Sequence, residues 1–120
     1  MGGSAGPPAN QGPPYHEKRE VPRYSFIAEV EVRETASDTR ISGRVSEISR
    51  KGCFVDVLNT LPPGTPIDMK VTRDQGSFQT RGKIIYEQPG MGMGVAFLDT
   101  AADQLKILDA WLAEISAQSN

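Results

Sequence analysis

Apolar and polar residues alternate with a period of two over most of the chain between Ser25 and Leu98. In "SFIAEVEVR", Phe26, Ala28, Val30 and Val32 share one face while Glu29, Glu31 and Arg33 share the other, which predicts a half-buried strand. "TRISGRVSEIS" sets Ile41, Gly43 and Val45 against Ser42, Arg44 and Ser46, but Ile48 follows Val45 by three. That slip of phase predicts a bulge or a strand end near Ser46 and Glu47. "GCFVDVL" resumes with Cys53, Val55 and Val57 on one face, and "IDMKVT" alternates again. "FQTRGKIIYE" places Phe78, Thr80, Ile84 and Tyr86 on one face with a glycine between them. "MGMGVAFL" alternates bulky with small residues, and its small face lets another element approach closely. The turns between these stretches are marked by "ETASD", "NTLPPGTP", "RDQGS" and "QPG".

After the sixth strand the period changes. Thr100 with Asp103 three residues on has the form of a helix N-cap. Leu105, Leu108, Leu112 and Ile115, joined by Trp111, then form a broad helical face, with Trp111 as its anchor to the strands. Six strands joined by short turns and followed by one helix predict a mainly β fold, a six-stranded antiparallel β-barrel with a C-terminal α-helix. Closure removes exposed strand edges, and the helix packs on the sheet or plugs one mouth.

Composition bounds what such a barrel can do. The chain has 120 residues, one domain's worth, with 38% hydrophobic and 23% charged. Residues 1–16 open with the uncharged "MGGSAGPPANQGPP", which has almost nothing to bury, so they are predicted to be a disordered tail before a domain at 17–117. A net charge of -2 and a pI near 5.4 argue against nucleic acid polymers as partners. No apolar run approaches the ~20 residues of a membrane helix and no signal peptide opens the chain, so a cytoplasmic protein without membrane insertion is expected. The one histidine, His16, lies in the tail, and the one cysteine, Cys53, has no partner motif and reads as a core residue. Few metal-ligand sets or catalytic triads can be built from these, and neither enzyme activity nor a metal site is expected.

Two short stretches stand out. "KREVPRYSF" holds Arg19 and Arg23 on a segment that Pro22 keeps out of helix and central strand. It is either a solvated basic turn or a clamp for an anionic ligand. Arg40 and Arg44 of "RISGR" repeat the R-x-x-x-R spacing but alternate with buried positions, as on the solvated face of a strand. "EISRKG" offers the Ser49 hydroxyl, a glycine at Gly52 free to take positive φ, and Arg50 and Lys51 at its tip. By itself it is an ordinary polar turn or part of a site.

Taken in order, these features resemble the PilZ domain family from residue 17 to about 115. The resemblance rests on the R-x-x-x-R arm, the E-x-S-x-x-G turn about two dozen residues later, "LPPGTPIDMKV", "GMGVAFL" and the closing helix. It implies a six-stranded barrel acting as a bacterial receptor for cyclic di-GMP, without a cofactor, that passes the signal to a protein partner. Arg19 and Arg23 would grip phosphates and guanines, Ser49 and Gly52 would shape the floor, and Lys18 is either a solvated charge or a further phosphate contact. Glu47 stands where the family has Asp or Asn, at the position that meets the guanine edge. Some relatives bind no nucleotide and work as protein adaptors, the second reading for this chain. A nucleic-acid-binding barrel is the third, disfavoured by the acidic pI and the scarcity of aromatic residues beyond core candidates.

Overall fold

The computed structural model describes residues 21–119, so the tail expected at 1–16 and the arm residues Lys18 and Arg19 lie outside the described residues. Its strands are β1 (Tyr24–Glu34), β2 (Arg40–Ile48), β3 (Gly52–Asp56), β4 (Pro66–Arg73), β5 (Gly76–Gln88) and β6 (Gly92–Leu98). One helix, α1 (Ala102–Ser119), follows. The strands close into a barrel in the order β1-β2-β3-β6-β5-β4, each antiparallel to its neighbours. The expected architecture is the observed one.

Strand parity fills the interior. Val32, Val45, Val55, Val71, Phe78 and Ile84 are wholly buried, and Phe26, Met69 and Val95 nearly so. The interior-facing Thr80 is the polar exception. Its hydroxyl lies 2.7 Å from that of Thr100 and donates to the Arg81 carbonyl at 3.0 Å, so burial leaves it satisfied. Thr100 is thereby drawn toward the barrel instead of capping the helix. The first helical hydrogen bond runs from the Leu105 amide to the Ala101 carbonyl, placing the cap one residue later than the sequence suggests.

Leu108 is completely buried and Ile115 nearly so, on the side of α1 that packs against β1 and β5. Trp111 lies between Phe26 and Phe78, with centroid separations of 5.6 and 6.3 Å, and anchors the helix as its position suggested. Arg73 pairs with Glu114 while its guanidinium sits 5.4 Å from the centre of the Phe26 ring.

Three bulges break the register. The one between Val45 and Glu47 is where the apolar phase slips in the sequence. A second lies in β1 between Ser25 and Ala28. The third, between Ile84 and Tyr86, corrects an expectation: Ile85 is the extra residue, parity flips, and Tyr86 leaves the face of Ile84 for the outside.

Candidate functional site

Two of the bulges deliver side chains to one cleft of about 300 Å³ on the barrel wall. Tyr24 pairs with Ile48 and Ser25 with Glu47, which brings Arg23, just ahead of β1, beside Glu47. Arg23 Nη1 donates to Glu47 Oε1 at 3.1 Å, with both side chains about half exposed. Ser49, Lys51 and Gly52 continue the polar lining. Of the residues singled out for ligand binding, Arg23, Glu47, Ser49 and Gly52 therefore share one cleft.

The 49–52 turn is held mainly from within. The Ser49 amide donates to the Gly52 carbonyl at 2.8 Å, and the Ser49 hydroxyl donates to the same oxygen at 3.2 Å. That hydroxyl also accepts from the amides of Lys51 and Gly52, at 3.1 and 3.2 Å. Ser49 is buried and shapes the turn. Gly52 is needed for a different reason from the one expected: positive φ among the described glycines occurs at Gly64 and Gly90, not here. A Cβ on Gly52 would instead stand 2.1 Å from the Val95 carbonyl oxygen on β6. Glycine is required by close strand approach.

At the tip of the turn, Arg50 Nε meets Asp109 Oδ1 of α1 at 2.9 Å. The Lys51 carbonyl accepts from the Phe97 amide at 2.8 Å, while its ammonium makes no ion pair among the described residues. Arg23 and Lys51 against Glu47 leave the polar end of the cleft with one net positive charge, suited to an anion although the chain as a whole is acidic.

Arg40 lies elsewhere. It lines a separate cleft of about 470 Å³ with Glu31, whose carboxylate is 3.8 Å away. The exposed Arg44 also stays clear of the first cleft. The two R-x-x-x-R stretches are thus separated in space.

Phe54, Ile85 and Tyr86 supply an apolar wall that the sequence reading did not assign to the site. A signal was available: three consecutive apolar residues, Ile84-Ile85-Tyr86, interrupt the alternation much as the slip before Ile48 does.

Cys53 also borders the cleft but is buried, and burial pushes its thiol up to about 12. Thiolate is the reactive form, so Cys53 is expected to resist a thiol reagent at about pH 8 in the folded protein and to react on unfolding. Labelling timed with and without denaturant checks this; equal rates would refute it. The raised value favours the neutral thiol in the fold. Its contribution to stability is therefore full below the unfolded value of 9.0 and lost as pH rises through about 12. Among the described residues no group of three potential ligands could hold a metal ion, and no helix is long and apolar enough to cross a membrane.

Solved structures share this fold. The PilZ domain of YcgR from Escherichia coli, solved with c-di-GMP, is 14% identical with a TM-score of 0.68, over 85% of this chain and 94% of that one. The Bacillus subtilis inhibitor of motility MotI/DgrA gives 14% and 0.68 over 83% of this chain and 52% of its own, so this chain spans about half of it. The PilZ domain of CeSA from a cellulose-synthesizing bacterium gives 18% and 0.59 over 82% and 99%. No curated protein matches the chain in sequence. The PilZ domain family matches residues 17–114, nearly the whole barrel and helix, and the chain belongs to that family.

Proposed function

We propose that the chain is a non-catalytic receptor for cyclic di-GMP that relays the signal to a protein partner. The observation that carries this reading is the convergence of Arg23 with the 47–52 turn on one cleft that is positive at its polar end and apolar along its wall. A planar guanidinium binds phosphate oxygens in a fork and also stacks on a purine, so one residue type serves both parts of a dinucleotide. Arg19 and Lys18, just upstream, add charge to the same arm. Two solved neighbours, the YcgR domain and the longer YcgR chain, carry c-di-GMP. An arm closing over ligand would turn nucleotide concentration into a change of surface for a partner to read.

A specific contact favours a second reading, a protein adaptor that binds no nucleotide. Glu47 already pairs with Arg23 and adds a negative charge to the cleft. The exposed pair is worth only about 0–1 kcal/mol, small enough for a ligand to break. The two readings diverge under calorimetric titration with cyclic di-GMP. Glu47→Asp withdraws the carboxylate by ~1.5 Å, the length of one methylene, and so releases Arg23 without changing charge. Affinity is expected to rise about ten-fold, or ~1.4 kcal/mol. Glu47→Ala, which removes the acceptor altogether, is expected to bind similarly or more weakly than the parent chain. An Asp variant no tighter than the parent means that the site has adapted to the longer side chain. Absence of binding in all three forms selects the adaptor.

A further inference from the structure

The cleft's aromatic wall is built by several residues acting together. Because Ile85 is the extra residue of the β5 bulge, Tyr86 turns outward and stands opposite Gly94 on β6. A Cβ on Gly94 would lie 2.3 Å from the Tyr86 ring, and one on Gly92 would lie 2.5 Å from the Phe54 ring. Both rings therefore lie down on β6 where it carries no side chains. Their centroids are 6.1 Å apart with planes tilted by 32°, a favourable aromatic pairing that props each ring against the other. Tyr86 nonetheless stays 40% exposed and lines the same cleft as Arg23, Glu47 and Ser49. Three neighbouring strands hold this ring, so little of its freedom remains to be lost on binding.

We propose that Tyr86, seated on Gly94 and propped by Phe54, is a stacking platform for one base of the ligand. The proposal rests on the cyclic di-GMP reading above and assigns phosphate and base to different walls of the cleft. Phosphates call for the cationic end, at Arg23 and Lys51. A flat purine calls for a ring already fixed and partly exposed. Every base has a π-face, so the platform supplies affinity, while the choice of base falls to polar groups such as Glu47.

The test is calorimetric titration with cyclic di-GMP of the parent chain, Tyr86→Phe, Tyr86→Ala and Gly94→Ala, each checked for an intact thermal transition. Tyr86→Phe keeps the ring and is expected to bind within about two-fold of the parent. Tyr86→Ala is expected to lose roughly 5- to 150-fold, the range of one base–aromatic stack. Gly94→Ala leaves the polar groups unchanged but pushes the ring off its seat, and should weaken binding in the same direction. The Tyr86→Ala loss should also hold at high salt, because stacking is not screened as an ion contact is. Tyr86→Ala binding as tightly as the parent overturns the platform alone. A parent chain that binds no cyclic di-GMP overturns the receptor reading and the platform with it.

Discussion

Arg23→Ala is expected to remove most of the cyclic di-GMP affinity, roughly 10- to 150-fold, while Arg40→Ala stays within about two-fold of the parent chain. The first figure follows from one hydrogen-bonded contact to a charged group, about 1.5–3 kcal/mol. Two consequences push in that direction together. The guanidinium that would fork onto phosphate is gone, and Glu47, freed of its partner at 3.1 Å, leaves an unneutralised carboxylate in the cleft. Arg40 shares the R-x-x-x-R spacing but lines the other cleft, and its 3.8 Å pair with Glu31 joins two exposed side chains. Such a pair contributes about 0–1 kcal/mol to stability. Arg23→Lys separates charge from geometry: it retains the positive charge but loses the planar fork, so its affinity should fall between the parent and Arg23→Ala. Titrations at one fixed salt concentration decide the matter. A larger loss from Arg40→Ala than from Arg23→Ala would assign the clamp to the wrong arginine pair.

The barrel was legible because burial on a strand follows parity, and parity can be counted along a sequence. Phe26 through Val32 and Ile67 through Val71 bury every second residue as written. Even the slip at Val45–Ile48 announced its bulge. The run Ile84-Ile85-Tyr86 marks an interruption of the alternation, but with all three positions apolar, parity does not tell which residue is extra or that Tyr86 turns outward. Non-local partners were equally out of reach. Thr100 has the form of a cap but bonds Thr80, and the need for glycine at Gly52 is set by a carbonyl on β6.

The site divides along the same line. Arg23 and the 47–52 turn could be named because their order and spacing resemble those of a known family, and the barrel brings them together. The Arg23–Glu47 ion pair could not be read, since it depends on the register in which Ser25 meets Glu47 across a bulged strand pair. Nor could the tie from Arg50 to Asp109, which joins the tip of the turn to the closing helix. That helix is otherwise anchored by Trp111 and Leu108.

Gly52→Ala is expected to be the most damaging small substitution in the domain, lowering stability by about 3 kcal/mol and weakening ligand binding as well. The added methyl would stand 2.1 Å from the Val95 carbonyl oxygen and 3.3 Å from the Ala96 Cα. These are backbone atoms, so no side chain can swing aside, and β3 must move away from β6. Gly52 pairs with Ala96 at that point, and the neighbouring bond from the Phe97 amide to the Lys51 carbonyl would be strained with it. Overpacking typically costs about 1–3 kcal/mol, and a wholly backbone obstruction belongs at the upper end. At roughly 4–8 °C per kcal/mol for a domain of this size, the melting temperature should drop by roughly 15 °C. Binding falls for a connected reason: the Gly52 amide and carbonyl both bond Ser49, so a displaced Gly52 deforms the floor of the cleft. Gly76→Ala is the control. Its Cβ would sit 3.7 Å from the Trp111 ring, ordinary contact, and the melting temperature should shift by no more than a few degrees. Thermal unfolding of the two variants beside the parent measures the difference. A Gly52→Ala protein melting within a few degrees of the parent would show that β3 and β6 can separate there at little cost, and the steric account of this glycine would be wrong.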